Sequence, residues 1–152
     1  MIASLRSTLA ASLALAATLA HADGDRYALA PAYVQECGAC HTPYPPALLA
    51  AESWQRVMAG LAKHYGTDAS LDAAAQKPLS DWLLARAGSG KRARVAPPED
   101  RITRGDWFIR KHREVSKAAW ARPAIKSAAN CGACHPGAAE GDYDEDRVRI
   151  PR

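Results

Sequence analysis

The sequence predicts a mainly α-helical protein built as two small lobes, with little or no β-structure. Apolar residues recur at i, i+3, i+4 and i+7 in several stretches, the spacing of a buried helix face. A stretch over 88–100, rich in Gly, Pro and charge and nearly free of large apolar residues, reads as a linker between 23–87 and 101–152. One pentapeptide, Cys-Gly-Ala-Cys-His, stands once on each side of that stretch, at Cys37 to His41 and at Cys131 to His135. The two copies use all four cysteines of the chain.

The elements follow in order. Arg6, an apolar run from about Leu9 to Leu19 and the small-x-small triplet Ala20-His21-Ala22 read as an export signal over residues 1–22. The run is shorter than the roughly 20 apolar residues that cross a bilayer, so no membrane span is expected after its removal. Pro31 suits a first helical turn, and a helix from there runs into Cys37, with Tyr44-Pro45-Pro46 as a rigid turn beyond the motif. Trp54, Val57, Met58, Leu61 and Tyr65 lie on one helical face, which predicts a helix over 53–65 stopped by Gly66, with His64 on or beside that face. A helical region over 70–87 turns Leu79, Trp82 and Leu83 inward and is expected to kink or break at Pro78.

In the second lobe Thr103-Arg104-Gly105-Asp106 reads as a helix start, and the helix continues to about Val115. Phe108, His112 and Val115 recur at helical spacing and so put His112 on an apolar stripe. A short helical segment near 124–129 precedes the second pentapeptide, and the charge-alternating tail over 141–152 reads as irregular or wrapping.

Cys-x-x-Cys-His is the attachment signature of c-type haem: two thiols form thioethers with the macrocycle and the adjacent imidazole binds the iron. The chain is therefore expected to carry two covalent haems, on Cys37, Cys40, Cys131 and Cys134, with His41 and His135 as proximal ligands. The cysteines of a compact zinc ribbon are separated by roughly 15 to 20 residues, whereas ninety lie between Cys40 and Cys131. A thioredoxin-like motif needs a βαβ context that the flanking sequence lacks, and two structural disulfides leave the repeated histidine unexplained. Haem attachment outside the cytoplasmic membrane agrees with the export signal and points to the periplasm.

Two ligands remain to be found. Of five histidines, His21 leaves with the signal and two belong to the motifs, so His64 and His112 match two vacant iron positions. A lone histidine on an apolar face is ordinarily a core residue; here a coordination bond is available to it. Met58 reads as packing, with one His/Met haem as the rival arrangement. Proximity pairs His41 with His64 and His112 with His135, and a crossed arrangement stays open. Irons closed on both sides favour electron transfer over catalysis.

Charge is unevenly spread. Residues 86–126 carry 12 basic and 4 acidic groups, a net +8, between flanks of −3 and −2. Lys91, Arg92, Arg94, Arg101 and Arg104 could face haem propionates or an acidic docking partner, or simply water. Export argues against nucleic acid.

Over nearly the whole mature length the sequence resembles the dihaem cytochrome c family of small periplasmic electron carriers. The resemblance lies in Glu36 to His41, Tyr44-Pro45-Pro46, Ser53-Trp54, His64 to Leu71, Trp107-Phe108 with Lys111-His112, and Asn130 to His135. It implies a class I cytochrome c-like N-terminal lobe with histidine in place of methionine, a smaller C-terminal lobe, and bis-histidine ligation through His64 and His112. The closed irons predict no enzymatic activity; the resemblance implies a small oxygen-binding monohaem cytochrome as acceptor and, in some cases, a membrane cytochrome b as donor. The alternative is a dihaem enzyme or gas sensor, peroxidase-like, in which one distal ligand dissociates on reduction.

Overall fold

The computed structural model describes residues 26–152, and the export-signal expectation lies outside them. Helix α1 spans Pro31–Cys37, α2 Ala51–Ala59, α3 Ala73–Ala85, α4 Asp106–Lys111 and α5 Lys117–Trp120. Short 3-10 turns fill much of the remainder. Among the described residues the only β-pairings are two isolated bridges, Arg26 with Asp142 and His64 with Thr67.

The first half has an ordinary core. Tyr33 from α1, Trp54 and Met58 from α2, Leu79 and Leu83 from α3, and Leu49 bury one another. Burying Trp54 is tolerable because its indole N–H donates to the Pro46 carbonyl at 2.8 Å. Tyr33 solves the same problem by donating to the Tyr44 carbonyl at 2.8 Å. Helix α3 begins where the Asp72 carboxylate accepts the Ala75 N–H. It runs unbroken through Pro78, where the sequence allowed a kink or a break. Both Pro78 and Ala74, whose carbonyl loses its donor, are exposed, so water can take up the missing bond.

Helix α2 stops six residues before the expected end. Gly60 caps it, its N–H bonded to the Arg56 and Val57 carbonyls, because glycine is a poor helix continuer. His64 consequently sits on a loop after the turn Leu61–Lys63, not on the helix, and Tyr65 is exposed. Tyr65 and Gly66 have φ of 49° and 100°, and the Thr67 N–H returns to the His64 carbonyl at 3.0 Å. The left-handed pair reverses the chain immediately after the histidine.

The second half has few regular elements. Gly105 caps α4 without a side-chain bond, and the helix ends at Lys111 with His112 as its C-cap, shorter at both ends than expected. Residues 124–129 form turns rather than a helix, while α5, absent from the sequence expectation, is started by the Ser116 hydroxyl accepting the Ala119 N–H. The buried hydrophobic residues here are Phe108, Ala119, Ile125 and Ala138, a thin core for so much chain.

The tail does wrap. Arg149 N–H donates to the Cys134 carbonyl at 2.8 Å, and Arg122 donates to the Pro151 carbonyl at 2.6 Å. The two ends of the described chain meet: Tyr27 N–H bonds the Gly141 carbonyl at 2.8 Å, and Asp142 pairs with Arg26 and Arg147. Gly141 has φ of 77°, and a Cβ there would stand 2.1 Å from the Tyr27 carbonyl oxygen, so only glycine fits. The stretch 88–100 packs on the first half, with Gly88 N–H on the Leu49 carbonyl at 2.7 Å, Ala93 buried, and Arg56 bidentate on Asp100.

Candidate functional site: two facing histidine pairs

The end of α1 delivers Cys37, and the loop beyond it carries Cys40 and His41 to one side of a cavity of about 510 Å³. Leu49, Trp54, Val57, Met58 and Leu61 line its apolar walls, and the loop after α2 supplies His64 from the opposite side. The His41 and His64 rings face each other with centroids 6.2 Å apart and planes 18° from parallel. The shortened α2 therefore does not remove His64 from the site; the 3-10 turn swings it back over the cavity.

The His64 loop is held from the far stretch. Arg101 lies over the Tyr65 ring at 4.2 Å, and the Tyr65 hydroxyl donates to the Glu99 carbonyl at 3.0 Å. Glu99 in turn pairs with Arg101 and Arg104. Tyr65, Glu99 and Arg101 are thus supporting residues that helical periodicity alone did not reveal. The only sequence signal was the Tyr65-Gly66 pair, readable as a turn.

In the second half, His112 caps α4 and His135 follows the turn Cys131–Ala133, which starts at Cys131 and is capped by Cys134. Their ring centroids are 6.3 Å apart, with planes crossed at 74°. Phe108 stacks on His112 at 4.0 Å, Trp120 stands 5.9 Å from it, and Tyr143 lies 5.2 Å from His135. Aromatic side chains enclose this pair in place of an aliphatic core.

Two hydrogen bonds orient imidazoles. His41 Nδ1 lies 2.7 Å from the Thr42 carbonyl and His112 Nδ1 lies 2.9 Å from the Phe108 carbonyl. A carbonyl only accepts, so Nδ1 carries the hydrogen and Nε2 keeps a lone pair for a metal. Burial, then the neighbouring imidazole, holds His64 and His135 below the ordinary histidine range, which favours the neutral ligand form. Burial pushes the Cys37 and Cys131 thiols up to about 11.

No disulfide joins any of the four cysteines. Among the described residues no three His, Cys, Asp or Glu side chains cluster as a metal cage.

Residues 33–143 match the family model for dihaem cytochrome c. The chain belongs to the dihaem cytochrome c family. It carries two haem c groups, and the family's business is electron transfer. The fold is similar to that of the diheme cytochrome c from Shewanella baltica OS155, at 35% identity and a TM-score of 0.70, over 80% of this chain and 92% of that one. It is also similar to two structures of the diheme cytochrome c from Rhodobacter sphaeroides, both at 40% identity. Their TM-scores are 0.66 and 0.69, with 77% and 78% of this chain and 99% of each relative covered. No curated protein sequence matches. Among the described residues no helix is long and apolar enough to cross a membrane.

Proposed function

We propose that this protein is a periplasmic carrier passing single electrons between redox proteins, with each haem iron held between two imidazoles. In this reading Cys37, Cys40, His41 and His64 hold one haem, and Cys131, Cys134, His135 and His112 hold the other. The spacing of the ring pairs carries it. Two imidazoles that would share one metal between their nitrogens, with a metal–histidine bond of about 2 Å on each side, would stand roughly 6 Å apart from centre to centre. The two pairs stand at 6.2 and 6.3 Å. Met58, buried beside Trp54 and Leu83, is packing.

Bound haem supplies a one-electron couple between ferric and ferrous iron. The residues of the chain do the rest. Thr42 and Phe108 carbonyls aim Nε2 of His41 and His112, while Leu49, Trp54 and Met58 give the first cavity apolar walls. With nitrogen on both faces no position is left for a substrate, which supports a carrier and not an enzyme. The export-type residues 1–22 support the periplasm. A membrane cytochrome b as donor and a small oxygen-binding monohaem cytochrome as acceptor rest on family resemblance.

EPR and visible spectra of the purified protein test the reading. Two low-spin haems and no rapid carbon monoxide binding by the reduced form are expected. A high-spin signal, or prompt carbon monoxide binding, overturns it in favour of the peroxidase-like or gas-sensing alternative.

A further inference from the structure

A second cavity of about 510 Å³ lies between residues 91–98 and α4, and shares no lining residue with the first. Lys91, Arg92, Arg94, Arg104 and Arg110 line it, against one acid, Asp106. Arg92 lies over the Trp107 ring at 5.1 Å, and Arg104 is committed to Glu99 at 2.7 Å. Lys91, Arg94 and Arg110 are exposed and make no ion pair among the described residues. Val95 in the groove and Ile109 on α4 are 70% and 56% exposed.

The groove sits on the back of the helix that bears His112. Successive helical residues are turned about 100° apart, and Trp107 and Arg110 line the groove while Phe108 is buried against His112. Arg101, by contrast, lines the first cavity and pairs with Glu99 beside Tyr65, so the basic residues divide between two places. Uncommitted cations around a tryptophan, with apolar side chains at the rim, have the composition of a transient interface steered by charge.

We infer that this groove is the docking surface for an acidic redox protein, and that electron exchange with that partner runs through the His112 side of the molecule. The inference rests on the carrier reading and adds where the partner sits. In each exchange one electron leaves the partner's reduced centre and converts one ferric haem to ferrous; no bond forms or breaks and no proton moves.

The test is stopped-flow reduction of the mature dihaem protein by a reduced [2Fe–2S] ferredoxin, an acidic one-electron donor. With the native protein the rate falls steeply as salt rises. Arg94→Glu with Arg110→Glu slows it about tenfold or more at low salt and flattens the salt dependence. Arg94→Gln with Arg110→Gln gives an intermediate loss and guards against a folding defect. Lys77→Glu on α3 with Arg86→Glu at its C-cap makes the same change in net charge and leaves the rate near native. Equal slowing by the α3 pair overturns the inference, because bulk charge then suffices. So does an unchanged rate in the groove variants, including the case where inorganic phosphate binds the groove at matched ionic strength. Failure of the carrier reading itself is seen separately, as a high-spin or carbon monoxide-binding native protein.

Discussion

Tyr44 lies almost flat on His41, with ring centroids 4.7 Å apart and planes 17° from parallel, while its hydroxyl donates to the Ala129 carbonyl at 2.8 Å. Ala129 stands two residues before Cys131 and also lines the first cavity. One phenol therefore braces the first pentapeptide's histidine and touches the approach to the second pentapeptide. Burial pushes this phenol up to about 12, so it remains a donor throughout the neutral range. Tyr44→Phe keeps the stack and orphans the carbonyl, at a cost of about 1–2 kcal/mol. Denaturant unfolding should show that loss with both haem spectra retained, and Tyr44→Ala should lose more.

His64→Ala and His112→Ala should each open one haem, and only one, to exogenous ligands. Carbon monoxide difference spectra of the reduced variants would show about half the amplitude of the double variant. If either single variant keeps both spectra unchanged, that histidine is not a ligand.

Gly141→Ala should be among the most damaging single-methyl changes in the chain. The new Cβ would press on the Tyr27 carbonyl oxygen at a left-handed φ, where nothing soft can yield. Strain of this kind costs about 1–3 kcal/mol before the clash is counted. Thermal melting should fall by several degrees, whereas Gly90→Ala, which meets nothing within 4 Å, should melt near the native temperature.

Asp142 ties the first described residue to the C-terminal tail, pairing with Arg26 and Arg147. The hydrogen bond from Arg26, then the Asp144 backbone N–H, hold its carboxyl below the ordinary carboxylate range. A depressed folded pKa means the stabilisation is fully present above the unfolded value of about 3.9 and is lost as pH falls through the folded one. Asp142→Asn should thus melt earlier than the native protein at pH 7, with the gap closing below about pH 4. A gap that stays constant from pH 7 to pH 3 would show that the pairs contribute nothing through charge.

How far the sequence reached differs by element. Leu79 and Leu83 of α3 and Trp54 and Met58 of α2 were legible from spacing, since burying one face of an amphipathic helix is a local pattern. The expected ends of α2 and α4 overran the observed ones, because a histidine at helical spacing looks like one more turn. The observed ends were set by Gly60, and by the C-cap geometry at His112. Helix α5 went unseen because four residues carry too little period to detect.

By itself the sequence determined the chemistry: two Cys-Gly-Ala-Cys-His segments, two spare histidines, and hence a mainly helical chain carrying two haems. Covalent attachment depends on residues adjacent along the chain, so a linear string is enough to read it. Tertiary structure alone decided that His64 faces His41 and His112 faces His135, that Arg101 clamps Tyr65, and that Arg94 and Arg110 share a groove behind the second pair. Those relations join residues tens of positions apart through loops and 3-10 turns, whose paths follow from packing and carry no periodic signal.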